Sequence, residues 1–213
     1  MAAGDGQMDW SSILSAVGTL VIFVAIARVL RKRKKGSAEG IEELYRRLQE
    51  IGVQASLAEK GDNREEMGAS RSSRQKSEGI IALGDKNIDS ISVISMAGEY
   101  GTSYFIDFLV KSPNIMGERK LKKTRLIRKK SPPLWGRVVA LGWKGDESLA
   151  RSLNLDYSLE DRLLRSDAKY FKGSIWIFPE AKQGYTRIRT IYSLPSAEVF
   201  GAISTIARYV RSW

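Results

Sequence analysis

The sequence contains no cysteine and no histidine. The first absence excludes disulfides, thiol nucleophiles, Cys-ligated zinc and iron–sulfur clusters from this chain. The second excludes Ser-His-Asp and Cys-His machinery and any His-containing metal site. Catalysis within the chain would have to rest on carboxylates, Lys, Tyr, Arg or backbone groups. A metal would have to be held by oxygen alone. No P-loop, no dinucleotide-binding glycine motif and no EF-hand loop is present. These exclusions favour a non-catalytic binding or scaffolding protein, and no cofactor is expected.

Negative charge is the minority species. Among 213 residues, 35 Lys and Arg stand against 24 Asp and Glu, a net charge of +11. The excess is local. Six basic groups, Arg28, Arg31, Lys32, Arg33, Lys34 and Lys35, lie in one block. Eight more, Arg119, Lys120, Lys122, Lys123, Arg125, Arg128, Lys129 and Lys130, lie in a second. Without these fourteen and Glu118, 21 basic groups face 23 acidic ones, so the rest of the chain is nearly neutral.

The first block follows 18 uncharged residues, Trp10–Ala27. As a helix these rise roughly 27 Å at about 1.5 Å per residue, against about 30 Å of hydrocarbon. Arg28, Val29 and Leu30 close the gap if the Arg28 guanidinium reaches back to the head groups. Residues 10–30 are therefore expected to form a single transmembrane helix, with Trp10 at the interface. A cleaved signal peptide would carry its positive charge before the apolar run; here Asp5 and Asp9 precede it. The basic block predicts a cytoplasmic stop, an external N-terminus over residues 1–9, and a chain lodged in the cell membrane with its C-terminal domain cytoplasmic. The block itself is expected to contact anionic lipid head groups.

Residues 31–58 are expected to contain the basic stop and a juxtamembrane helix. Ile41, Leu44, Tyr45, Leu48 and Ile51 make one stripe, and Gly52 ends it. Residues 59–77 hold almost no apolar side chains, which predicts a linker or long loop. If the preceding helix packs on the later domain, this segment is an excursion; if not, it is a tether.

Residues 78–213 are expected to form an α+β domain with a mostly antiparallel sheet. "IDSISVISMA" and "TSYFIDFLV" predict a hairpin around a four-residue loop, and the second strand is apolar on both faces, as a central strand is. Residues 136–143 predict another strand, and "SIWIF" with "YTRIRTIYS" a second hairpin. Asp146 is expected to cap one short helix, and Ser158 with Asp161 to open another. The last element is an amphipathic helix capped by Ser196, with Val199, Phe200, Ile203, Ile206, Ala207 and Val210 on one face.

Three site candidates emerge. Asp146, Glu147, Asp156, Glu160 and Asp161 cluster in sequence; a carboxylate-dependent enzyme or an Mg²⁺ site would show this pattern, but capping alone explains carboxylates at helix starts. Arg187 and Arg189 share one strand face with Lys182 in the preceding turn; they are candidate contacts for a phosphate or carboxylate, the ordinary alternative being the wet face of a strand. The second basic block is the stronger lead. It suits a solvated strand, an anionic lipid surface, an acidic protein partner or a nucleic acid. Base stacking needs aromatics among the charges, and residues 119–130 contain none, which ranks nucleic acid below lipid and protein.

Overall fold

A computed structural model describes residues 38–58, 75–116, 121–132, 137–166 and 174–212. The transmembrane expectation at 10–30, the block Arg28–Lys35, and Arg119 and Lys120 lie outside the described residues. Among those described, no helix is long and apolar enough to cross a membrane.

The protein is α+β. Among the described residues eight strands form one sheet: β1 Ala55–Leu57, β2 Gln75–Leu83, β3 Ser90–Gly98, β4 Gly101–Lys111, β5 Thr124–Ser131, β6 Arg137–Lys144, β7 Ile175–Glu180 and β8 Tyr185–Ile191. Every pairing is antiparallel, in the order β1-β2-β3-β4-β8-β7-β5-β6. The helices are α1 Ala38–Glu50, α2 Glu147–Leu155, α3 Tyr157–Arg165 and α4 Ala197–Arg211.

Side-chain alternation sets the layers. One face of the sheet carries Ile81, Ile91, Val93, Ile106, Phe108, Val110, Ile188, Ile175, Ile177, Leu126 and Trp143. All four helices pack on it. From α4, Val199, Phe200, Ile203, Ile206, Ala207 and Val210 are buried, and Phe200 meets Phe108 edge to face at 6.5 Å. The amphipathic stripe read from the sequence is the contact stripe.

The helix α1 belongs to this core. Leu44 and Leu48 are fully buried, the Tyr192 hydroxyl donates to Gly40 O at 2.7 Å, and Arg47 Nε donates to Pro195 O at 3.0 Å. Burial of the Tyr192 phenol, with Glu43 nearby, pushes its pKa up to about 12. β1 then pairs with β2, so the segment between them is an excursion from the domain.

Three local expectations shift. The β3–β4 hairpin pairs Gly98 with Gly101, leaving a two-residue loop, Glu99–Tyr100, instead of four. β2 starts at Gln75, inside the stretch read as linker, because Lys76 and Ser77 pair with β3 despite their polarity. The cap of α3 is Asp156, not Ser158. The Asp156 carboxylate accepts from Leu159 N at 3.0 Å, from Ser158 Oγ at 2.6 Å and from the Tyr209 hydroxyl at 3.0 Å. Partial burial opposes its charge, but these bonds outweigh that and hold its pKa below the ordinary carboxylate value. Its stabilising contribution is therefore complete above the unfolded carboxylate pKa and lost as pH falls through the lower folded value. Asp156→Ala is expected to cost about 1–2 kcal/mol at neutral pH. The deficit should shrink as pH falls in urea titrations; a deficit independent of pH down to complete carboxylate protonation would refute the assignment.

β6 is an edge strand, and its outward N–H groups are covered from within. Leu141 N donates to Glu160 Oε1 at 2.9 Å and Trp143 N to Asn154 Oδ1 at 2.7 Å. Side chains of α2 and α3 thus occupy positions that another strand would need.

Candidate functional site

The face of the sheet away from the helices is chemically different. Reading across the register, Asp107 is level with Arg189, Arg189 with Trp176, and Trp176 with Arg125. Phe105, Asp107 and Leu109 of β4, Arg187 and Arg189 of β8, Trp176 and Phe178 of β7 and Arg125 of β5 therefore share this face.

Toward β4 it is closed. Asp107 is 1% exposed, and Arg187 and Arg189 are each 7% exposed. Arg189 grips Asp107 through two bonds, Nε to Oδ1 at 2.6 Å and Nη2 to Oδ2 at 2.7 Å. Arg187 Nη1 reaches Asp107 Oδ2 at 3.4 Å, and its Nη2 reaches Glu180 Oε1 at 2.6 Å. Burial works against the Arg187 charge, but Asp107 and Glu180 more than offset it and raise its pKa above the ordinary arginine value. The sequence reading of these arginines is corrected in one respect. They are not the wet face of a strand. The anion they hold is the protein's own Asp107.

Toward β5 the same face opens. Arg189 lies over the Phe105 and Phe178 rings at 5.3 and 5.5 Å, and Lys123 Nζ lies over Phe178 at 4.5 Å. Partial burial, with the charges of Arg125 and Arg189, holds the Lys123 pKa below the ordinary lysine value. Phe105 and Trp176 meet edge to face at 6.5 Å. Beyond Trp176, Arg125–Lys130 and that indole line an open groove of about 710 Å³. Lys122, Arg125, Lys129 and Lys130 are exposed and form no ion pair among the described residues. Positive charge is thus concentrated on one strand with no counter-charge paired to it among the described residues.

The structure brings Lys122, Lys123, Arg125, Arg128, Lys129 and Lys130 onto or just before β5. Arg187 and Arg189 are instead held by Asp107, although Arg189 shares the Phe178 ring with Lys123. The structure also adds Trp176 and Phe178, which the sequence reading did not assign to this site. They lie about fifty residues away in sequence and join β5 only because the strand order runs β8-β7-β5. One signal was available: "SIWIF" alternates Ile175 and Ile177 with Trp176 and Phe178, so a single strand had to turn aromatics to one face.

The acidic cluster has structural work. Asp146 accepts from Ser148 N and Leu149 N as the cap of α2, and Asp156 caps α3. Glu160 covers the β6 edge, while Glu147 and Asp161 pair with Arg151 and Arg165. A second groove of similar size is lined by Lys122, Lys144 and Arg151 together with Asp146 and Glu147, so its charges are of both signs, and Arg151 pairs with Glu147. No protein-family model, no curated protein and no solved structure matches this chain.

Proposed function

We propose that this protein is a single-pass membrane-anchored binding module, non-catalytic, whose basic strand β5 engages a polyanionic surface. The observation that carries the proposal is the groove along β5, where Arg125, Lys129 and Lys130 are exposed, without an ion-pair partner among the described residues, and line one opening with half-buried Trp176. Support for the anchor comes from the 18 uncharged residues before Arg28 and the basic block after them. Support for a non-catalytic role comes from Asp146, Glu147, Asp156, Glu160 and Asp161, each of which caps a helix, covers the β6 edge or pairs with an arginine.

The test is salt-dependent retention of the full chain, held in neutral detergent, on immobilised heparin as a polyanion probe. Arg125→Glu/Lys129→Glu/Lys130→Glu is expected to elute at clearly lower salt, with a shallower dependence of log affinity on log salt. Lys86→Glu/Lys182→Glu reverses exposed charges elsewhere on the domain and is expected to elute close to wild type. Equal shifts in the two variants would mean that total charge, not β5, drives retention.

A second reading has one observation behind it. Trp176 and Phe178 flank the basic strand, so a single-stranded nucleic acid could stack there while its backbone follows β5. Trp176→Ala separates the two readings. A stacked base would lose about 1–3 kcal/mol of binding with the ring, whereas a purely electrostatic surface would lose little.

A further inference from the structure

We infer that the end of the sheet at which the chain enters the domain is the end that rests on an anionic lipid leaflet, with Lys129 and Lys130 on one flank and the Tyr100 hairpin tip on the other. The inference rests on the anchored reading above and adds the partner and the orientation.

The entry point is fixed by Tyr192, just past β8. Its hydroxyl holds Gly40 O in the first turn of α1, and its N–H donates to Tyr104 O at 2.9 Å. From there α1 runs to the other end of the sheet, where Gln54 O accepts from Gly84 N at 2.9 Å. The chain therefore enters the described domain, at Gly40, from the Tyr192 end.

The register puts the basic strand at that same end. Arg125 is level with Arg189 through Trp176. Strands β5 and β8 run in the same direction, so Arg128 is level with Tyr192, and Lys129 and Lys130 project beyond it. Only β7 separates the two strands, a lateral distance of roughly 10 Å. On the other side β4 starts at this end, and the tip of its hairpin, Tyr100, is 92% exposed. Tyr prefers the membrane–water boundary, where ring and hydroxyl are both satisfied.

The tether sets how far this end can stand from the bilayer. Between Leu30 and Ala38 lie seven residues, which extend at most roughly 30 Å. The domain cannot drift away, and its nearest end presents exposed Lys129 and Lys130 on the β5 flank, apart from the carboxylates Glu43, Glu99 and Glu198 at the same end. The inner leaflet is the negative surface within that reach. A nucleic acid has to arrive by diffusion; the leaflet is present by construction.

The absence of cysteine makes the test clean. Single substitutions Tyr100→Cys and Lys182→Cys place one fluorophore each at opposite ends of the sheet, since Lys182 lies in the β7–β8 turn. The full chain is reconstituted in nanodiscs of phosphatidylcholine, with or without phosphatidylserine, containing head-group-labelled quencher lipid. Quenching at position 100 is expected with phosphatidylserine, weaker without it or in high salt, and absent at position 182. Lys129→Glu/Lys130→Glu is expected to lower the ratio of docked to undocked protein about fivefold for each basic group removed. Lys86→Glu/Lys182→Glu should leave it unchanged and controls for net charge.

Release of the chain by alkaline carbonate overturns the anchored reading, and this inference with it. In a chain that stays integrated, equal quenching at both positions, quenching at neither, or no response to phosphatidylserine overturns the orientation alone. Single-stranded RNA binding that protects β5 without any phosphatidylserine response assigns the strand to nucleic acid and also overturns it.

Discussion

Asp107→Asn is expected to lower folding stability by about 3–5 kcal/mol, measured as a drop in the urea midpoint with little change in slope. The amide has nearly the shape of the carboxylate, so the effect isolates charge. In the native protein one carboxylate, 1% exposed, neutralises most of two guanidinium groups. Glu180 shares Arg187 at 2.6 Å but does not reach Arg189. Removing the negative charge leaves Arg189 buried between Phe105 and Phe178 with no counter-charge, and an arginine cannot escape by losing its proton. Replacing the bidentate pair together is a different matter, because Arg187 keeps Glu180. Asp107→Leu combined with Arg189→Met exchanges an ion pair for apolar volume and is expected to recover much of the loss. A loss below about 1 kcal/mol for Asp107→Asn would show that water reaches the cluster, and the closed description of this face would then be wrong.

This cluster also shows where sequence reading stops. "TSYFIDFLV" was legible as a central strand, because apolar residues on both faces leave no side for water. Its one charge, Asp107, was the overlooked clue: a carboxylate in the middle of a central strand needs a buried cation. Which cation was not legible. Arg187 and Arg189 are about eighty residues away, and only the β4–β8 pairing brings them together. The helices, by contrast, were readable from period and caps. The stripe of α4, its Ser196 cap and the Asp146 cap of α2 depend on neighbours three or four positions away, so local sequence determines them. The basic patch fell between these cases. Its charge is local and was visible; its aromatic border comes from a strand paired to it out of sequence order. The ranking against nucleic acid rested on charge without aromatics, and the β5–β7 pairing supplies them.

Gly145→Ala is expected to cost about 3 kcal/mol or more, the second large effect. Gly145 joins β6 to α2 at φ +151°, a conformation that side chains rarely adopt. A Cβ there would also come within 3 Å of Lys123 O, Lys123 C and Thr124 Cα. All three are backbone atoms, so no rotamer change can make room, and the start of β5 must move. That movement would break the bond from Asp146 N to Thr124 Oγ1, 3.0 Å in the native protein, and disturb the cap of α2. It would also shift Lys123 from the Phe178 ring, which couples this turn to the basic strand. Gly52→Ala is the comparison. Gly52 also has a positive φ, +80°, but a Cβ there meets nothing within 4 Å. Its cost should be limited to the backbone preference, about 1–2 kcal/mol. Equal urea midpoints for the two variants would mean that the turn after β6 can open without displacing β5. A larger loss for Gly145→Ala, with heparin retention weakened under conditions where the variant remains folded, would show that the close approach of backbone to backbone at Gly145 sets the position of the binding strand.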